Sequence, residues 1–160
     1  MIMDAEIMNR HSISKYTIFT VALILIFFAV NLLFLTQYPF VHSDETWLAG
    51  LTRNMMQRHS LAVTETFFNL KPRYPHAIKT LFHLLQMPFL SLFGYRIFSV
   101  RLISLLAGSG GLFVFYQIGK VFFQSEKKAI FAMLLLAVDS EYICASHFAR
   151  QEILILLLML

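Results

Sequence analysis

Residues 17–36 form an uncharged apolar run of 20 residues, with Asn31 its only strongly polar member. At 1.5 Å per residue such a run makes a helix about 30 Å long, which matches the hydrocarbon thickness of a bilayer. Backbone groups in hydrocarbon must satisfy their own hydrogen bonds, so the segment reads as a transmembrane helix. Small residues are scarce in it, and Tyr38-Pro39-Phe40 follows directly. That pattern does not suit a cleavable leader, and the span is read as retained.

The rest of the chain agrees. Apolar residues make up 58% and charged residues only 14%, against about 25% charged in a soluble domain. The expected class is an integral, multi-pass membrane protein. The formal net charge of +4 suits anionic lipid or phosphate partners. The basic residues are scattered, without aromatic interleaving on a soluble face, which excludes nucleic acid as a partner. Cys144 is the single cysteine, so no internal disulfide can form.

The hydropathy pattern predicts an all-α, polytopic transmembrane bundle with spans at 17–36, 97–118 and 129–145, and an incomplete one at 148–160. The chain reads as truncated, the N-terminal part of a single transmembrane domain. An outer loop, 38–96, separates the first two spans. Within it, Ser43 is the expected N-cap of a helix from about Asp44 to Arg58. Leu48, Leu51 and Met55 fall at helical spacing there, as in a helix lying on the membrane surface. After Lys71-Pro72-Arg73-Tyr74-Pro75, a second interfacial helix is expected over 76–93, holding Pro88 and ending at Gly94.

Orientation follows from charge. Lys120, Lys127 and Lys128 crowd the loop after the second span, and Arg10 and Lys15 precede the first. The positive-inside rule makes both stretches cytoplasmic. The 38–96 loop and the turn around 139–147 then share the outer side. That loop carries Arg53, Arg58, Lys71, Arg73, Lys79 and Arg96 against Asp44, Glu45 and Glu65. Such an excess of positive charge on the translocated side fits an anionic headgroup or a phosphate.

Three clusters are candidates for chemistry. Asp44-Glu45 has two readings of equal weight: helix-start acids complementing a dipole, or a general base within reach of an acceptor nucleophile. Lys71 and Arg73, on a turn stiffened by Pro72, could hold a phosphate, or could simply snorkel to lipid headgroups. The third cluster is Asp139, Glu141, His147, Arg150 and Glu152, at the start of a span where ionisable groups are functional candidates by default. On a helix, Arg150 and Glu152 would point apart and take separate partners. Gly108-Ser109-Gly110-Gly111 lacks the P-loop lysine and reads as a close helix-packing seam. A pair of histidines, His76 and His83, is too little for a metal site.

Taken in order, His42-Ser43-Asp44-Glu45-Thr46-Trp47, Lys71-Pro72, Leu92-Phe93-Gly94-Tyr95-Arg96, Arg101-Leu102-Ile103-Ser104 and Phe148-Ala149-Arg150-Gln151-Glu152 resemble the amino-terminal part of the GT-C membrane glycosyltransferases. The resemblance is to the branch of protein O-mannosyltransferases and aminoarabinose (lipid A) transferases, and it runs from about residue 17 to the end. It implies transfer of a hexose or pentose from a polyprenyl-phosphate-linked donor to an extracytoplasmic protein, lipid or glycan, with inversion. By position, Asp44 matches the family's catalytic acid, with Glu45 beside it. Lys71 matches the residue that neutralises the leaving phosphate. Glu152, or else Asp139, matches the second acidic position, and Arg150 holds phosphate or orients Glu152. Arg73 stands where relatives often have a second proline, and Glu152 where many have Asp. The expected location is a bacterial plasma membrane, with the site on its outer face, and this stretch alone is expected to be inactive. Neither the sugar nor a metal or cofactor is readable, a divalent ion being left open. The competing class is a non-catalytic protein that binds or transports a lipid phosphate.

Overall fold

The computed structural model describes residues 14–61, 63 and 79–160. The elements are all α-helices: α1 (Lys15–Phe34), α2 (Ser43–Arg58), α3 (Thr80–Phe93), α4 (Ile97–Phe123), α5 (Glu126–Ala137), α6 (Ser140–His147) and α7 (Glu152–Met159). Helices α1 and α4 are long and apolar enough to cross a membrane. Helices α5 and α6 meet at a 66° bend and are together long and apolar enough for a broken span or a re-entrant loop. The chain is an all-α membrane protein.

Helix α4 is the hub, with α1, α3, α5, α6 and α7 all packed on it. Its small residues make this possible. A Cβ added to Gly108 would run into the Ser146 side chain, and one on Gly111 would lie 2.7 Å from the Tyr142 hydroxyl. That hydroxyl donates to the Gly108 carbonyl at 2.6 Å. The glycine run is therefore a packing seam that lets α6 sit against the α4 backbone, the arrangement expected where helices associate by close contact.

Helix α1 buries only Thr20, Phe27 and Asn31, which leaves most of its apolar surface for lipid. Asn31 satisfies its amide within the helix, donating to the Phe27 carbonyl at 2.8 Å. At the other end, Ser14 Oγ donates to Glu126 at 2.7 Å, and Lys120 pairs with Glu126 at 3.5 Å. The start of α1 and the α4–α5 turn thus lie together at one end of the bundle.

Four expectations shift. The α2 cap is His42, one residue earlier than Ser43, because the His42 ring accepts from the Asp44 N–H (3.2 Å) while the Glu45 carboxylate accepts from the His42 N–H (3.0 Å). This reciprocal arrangement is a capping box built on histidine. The α2 stripe of Leu48, Leu51 and Met55 is buried and faces protein, not the membrane. Thr52 lies within that stripe and bonds to His83 (2.8 Å) and Gln86 (2.5 Å) of α3, which locks the two helices together. The expected third span breaks between Ala137 and Ser140, where the Asp139 side chain caps α6 by accepting from the Tyr142 N–H at 2.8 Å. Finally, α3 is helical from Thr80, ending at Gly94 with φ 75°, and residues 76–78 lie outside the described residues.

Candidate active site

Adjacent residues on a helix point about 100° apart, and at the start of α2 this separates the two acids completely. Glu45 turns inward and is buried, and Asp44 stays about half exposed.

Glu45 meets Arg101, which rises from the first turns of α4 and has no exposed surface. Arg101 Nε donates to Glu45 Oε1 at 2.9 Å and Nη2 to Oε2 at 2.7 Å. Oε1 also accepts from the Ala149 N–H at 2.7 Å, and Oε2 from the His42 N–H at 3.0 Å. Each oxygen therefore carries two donors. The remaining Arg101 nitrogen, Nη1, donates to the Leu35 carbonyl at 2.9 Å and to the Tyr38 carbonyl at 3.5 Å. Leu35 is the C-cap of α1, so the cation sits at the negative end of one helix and the anion at the positive end of the next. A second tie reaches the same place: His147 Nδ1 donates to the Tyr38 carbonyl at 2.7 Å.

This buried pair joins α1, α2, α4 and the turn after α6. The turn itself is compact. The Arg150 N–H donates to the Phe148 carbonyl at 2.8 Å, and the Arg150 carbonyl accepts from Ser104 Oγ of α4 at 3.5 Å. With the Ala149 N–H held by Glu45, Phe148, Ala149 and Arg150 are each anchored.

The Arg150 side chain is consequently aimed at both remaining acids. Its Nη2 lies 2.8 Å from Glu152 Oε1 and 3.7 Å from Asp44 Oδ2. The expectation that Arg150 and Glu152 point apart is corrected here: α7 begins only at Glu152, and Arg150, in the preceding turn, folds back onto it. His42 Nδ1 stands 3.8 Å from Asp44 Oδ2. Asp44, Arg150 and Glu152 form a solvent-facing trio supported from beneath by Glu45 and Arg101.

Beside the trio lies a cavity of about 230 Å³ lined by Glu141, Cys144, Ala145, Phe148, Arg150 and Glu152. A second of similar volume, mostly apolar, is bounded by Val41, Ala49, Val100 and Arg96 and reaches the buried Glu45–Arg101 pair. Asp139 is not brought to the trio. It caps the far end of α6, whose eight residues span about 12 Å. Lys71 and Arg73 lie outside the described residues. Among the described residues, no three of His, Cys, Asp and Glu gather as metal ligands.

Sequence reasoning missed Arg101 as the partner of Glu45, and missed Cys144 as a wall of the cavity. A signal for the first was present: a lone arginine at the head of an apolar span needs a buried counter-charge or water.

The family model for dolichyl-phosphate-mannose-protein mannosyltransferase matches residues 79–160, a stretch that contains Arg101, His147, Arg150 and Glu152. No curated protein and no solved structure matches the chain.

Proposed function

The chain belongs to the dolichyl-phosphate-mannose-protein mannosyltransferase family, and from that premise we propose that Asp44 is the general base of an inverting sugar transfer at the outer membrane face. The family is one of membrane glycosyltransferases that draw on a polyprenyl-phosphate-linked sugar. The observation that carries the assignment is the split between the two acids. Glu45 has both oxygens occupied, whereas Asp44 is half exposed and turned towards Arg150.

In the proposed step the acceptor hydroxyl gives its proton to Asp44 as its oxygen bonds to the anomeric carbon. The bond from that carbon to the phosphate oxygen breaks on the opposite face, and the polyprenyl phosphate leaves with the electron pair. Positive charge must meet that leaving group. Lys71 and Arg73 are assigned that role from their place in the sequence. Arg150, held between Asp44 and Glu152, keeps the two carboxylates directed at the reacting centre. Glu152 faces the positive charge that develops on the sugar ring, as carboxylates do in glycosyl transfer. Glu45 and Arg101 act as positioning residues, and Asp139 serves α6 as its cap. The acceptor is a hydroxyl of a protein, lipid or glycan outside the cytoplasm.

The test is transfer by the full-length protein, reconstituted in lipid bilayers with dolichyl-phosphate-mannose as donor. The expected product has the anomeric configuration opposite to the donor's. Retention of configuration would refute the single-displacement step. Tight binding of the lipid phosphate with no transfer to any acceptor would favour the non-catalytic reading.

A further inference from the structure

The cavity beside the trio has walls of mixed chemistry. Phe148 and Ala145 supply apolar surface, Glu141 and Glu152 supply acceptors, and Arg150 supplies donors, with Cys144 among them. Phe148 is held by an edge-on contact with His42, their ring centres 6.2 Å apart and their planes at 77°. Cys144 is fixed by the Tyr38 hydroxyl, 3.5 Å from its sulfur. A volume of about 230 Å³ equals that of about eight waters in the liquid and falls below the range for drug-sized ligands. It suits one monosaccharide ring.

We propose that this cavity seats the sugar ring of the donor, with Glu141, Cys144 and Phe148 as the residues that recognise it. The assignment rests on the reading of Asp44 as the base, because the cavity is placed by the two residues, Arg150 and Glu152, that it shares with the trio. A pyranose has apolar C–H faces and a rim of hydroxyls, which match an aromatic wall and carboxylate acceptors. The acids also decide which part of the donor enters. Two carboxylates repel a phosphate but stabilise the positive charge that builds on the ring as its anomeric bond breaks. The ring therefore lies inside, and the phosphate stays outside. An acceptor ring gains no such charge and has no need of that acid lining.

Cys144 is the chain's single cysteine, so a thiol reagent reports on this cavity alone. In the reconstituted protein, dolichyl-phosphate-mannose should slow labelling of Cys144 by a small maleimide about tenfold, while unglycosylated dolichyl phosphate leaves the rate unchanged. Equal protection by both lipids would overturn the assignment, since the phosphate or the tail would then be the occupant. So would an absence of protection in protein that transfers mannose. Protein that neither transfers mannose nor is protected would bring down the proposed function and the cavity with it. Two variants extend the test. Cys144→Phe fills the cavity and should abolish the preference for the mannosylated lipid over the bare one. Glu141→Gln, at an exposed position, should raise the KM for dolichyl-phosphate-mannose about tenfold and leave binding of dolichyl phosphate unchanged. An unchanged KM would remove Glu141 from the site.

Discussion

Two neighbouring carboxylates of like charge end in opposite surroundings because one helical step turns the second away from the first. Glu45 reaches an arginine with no exposed surface, and this pair should behave as buried pairs do. Removing one partner leaves an uncompensated charge and costs about 3–5 kcal/mol. Glu45→Gln and Arg101→Met are each expected to lower thermal stability in a bilayer mimic by that order, whereas Glu45→Leu with Arg101→Met should recover much of it. A double variant no better than the sum of the singles would show that the two side chains are not coupled. Asp44→Asn should leave the melting temperature unchanged and cut sugar transfer about 10²- to 10⁴-fold, the usual worth of a general base. Transfer at the normal rate in that variant would rule Asp44 out as the base. The acid pair was legible in the sequence as a place of interest, but the division of labour within it was not. The deciding partner lies 56 residues away, beyond the reach of local spacing, and the helix-start reading holds for Glu45, which closes the capping box.

At the level of elements, the local patterns located the helices well and placed their surfaces less well. The stripe on α2 has the spacing of a membrane-surface helix, yet Thr52 in its midst bonds to His83 and Gln86 of α3, a polar contact that hydropathy alone cannot foresee. The break before α6 was hidden by the continuous apolar run that precedes it, although Asp139 is an N-cap residue of the preferred kind. Asp139→Ala should therefore cost about 1 kcal/mol of stability through the lost cap, visible as a modest fall in melting temperature, with transfer by the folded protein retained. Loss of transfer at full stability would instead return Asp139 to the substrate. The glycine seam was read correctly as packing, because a glycine run inside a span has few other uses. Its tightness can be tested directly. Gly108→Ala forces its new methyl onto the Ser146 side chain and should destabilise by about 1–3 kcal/mol, the range for overpacking. Ser146→Ala in the same chain should relieve part of that loss. If Gly108→Ala alone were neutral, α6 would not be seated against α4 as described.

For the molecule as a whole, function depends on which end of the bundle faces out. The Ser14–Glu126 and Lys120–Glu126 contacts gather the start of α1 and the α4–α5 turn at one end, the end that carries Lys15, Lys120, Lys127 and Lys128. Helix α1, long and apolar enough to cross a membrane, separates that end from the α2 cap, so the trio of Asp44, Arg150 and Glu152 lies at the opposite end, where Tyr38 and Phe40 are exposed. That the two acid-bearing stretches lie at one end of the bundle was readable from hydropathy and charge. The sequence could not show that a single arginine, Arg101, brings those stretches into contact, because that requires the bundle to be assembled. If the basic end is cytoplasmic, the trio meets donors and acceptors outside. Single cysteines placed at Thr46 and at Lys127 in a Cys144→Ser background test this, since both sites are exposed. On intact cells a membrane-impermeant maleimide should label the Thr46→Cys protein and spare the Lys127→Cys protein, with both labelled after permeabilisation. The reverse pattern would put the acids in the cytoplasm, where the proposed extracytoplasmic acceptor could not reach Asp44. Labelling of both on intact cells would mean that the two ends do not lie on opposite sides of a bilayer, and the assignment of α1 as a complete crossing would fall.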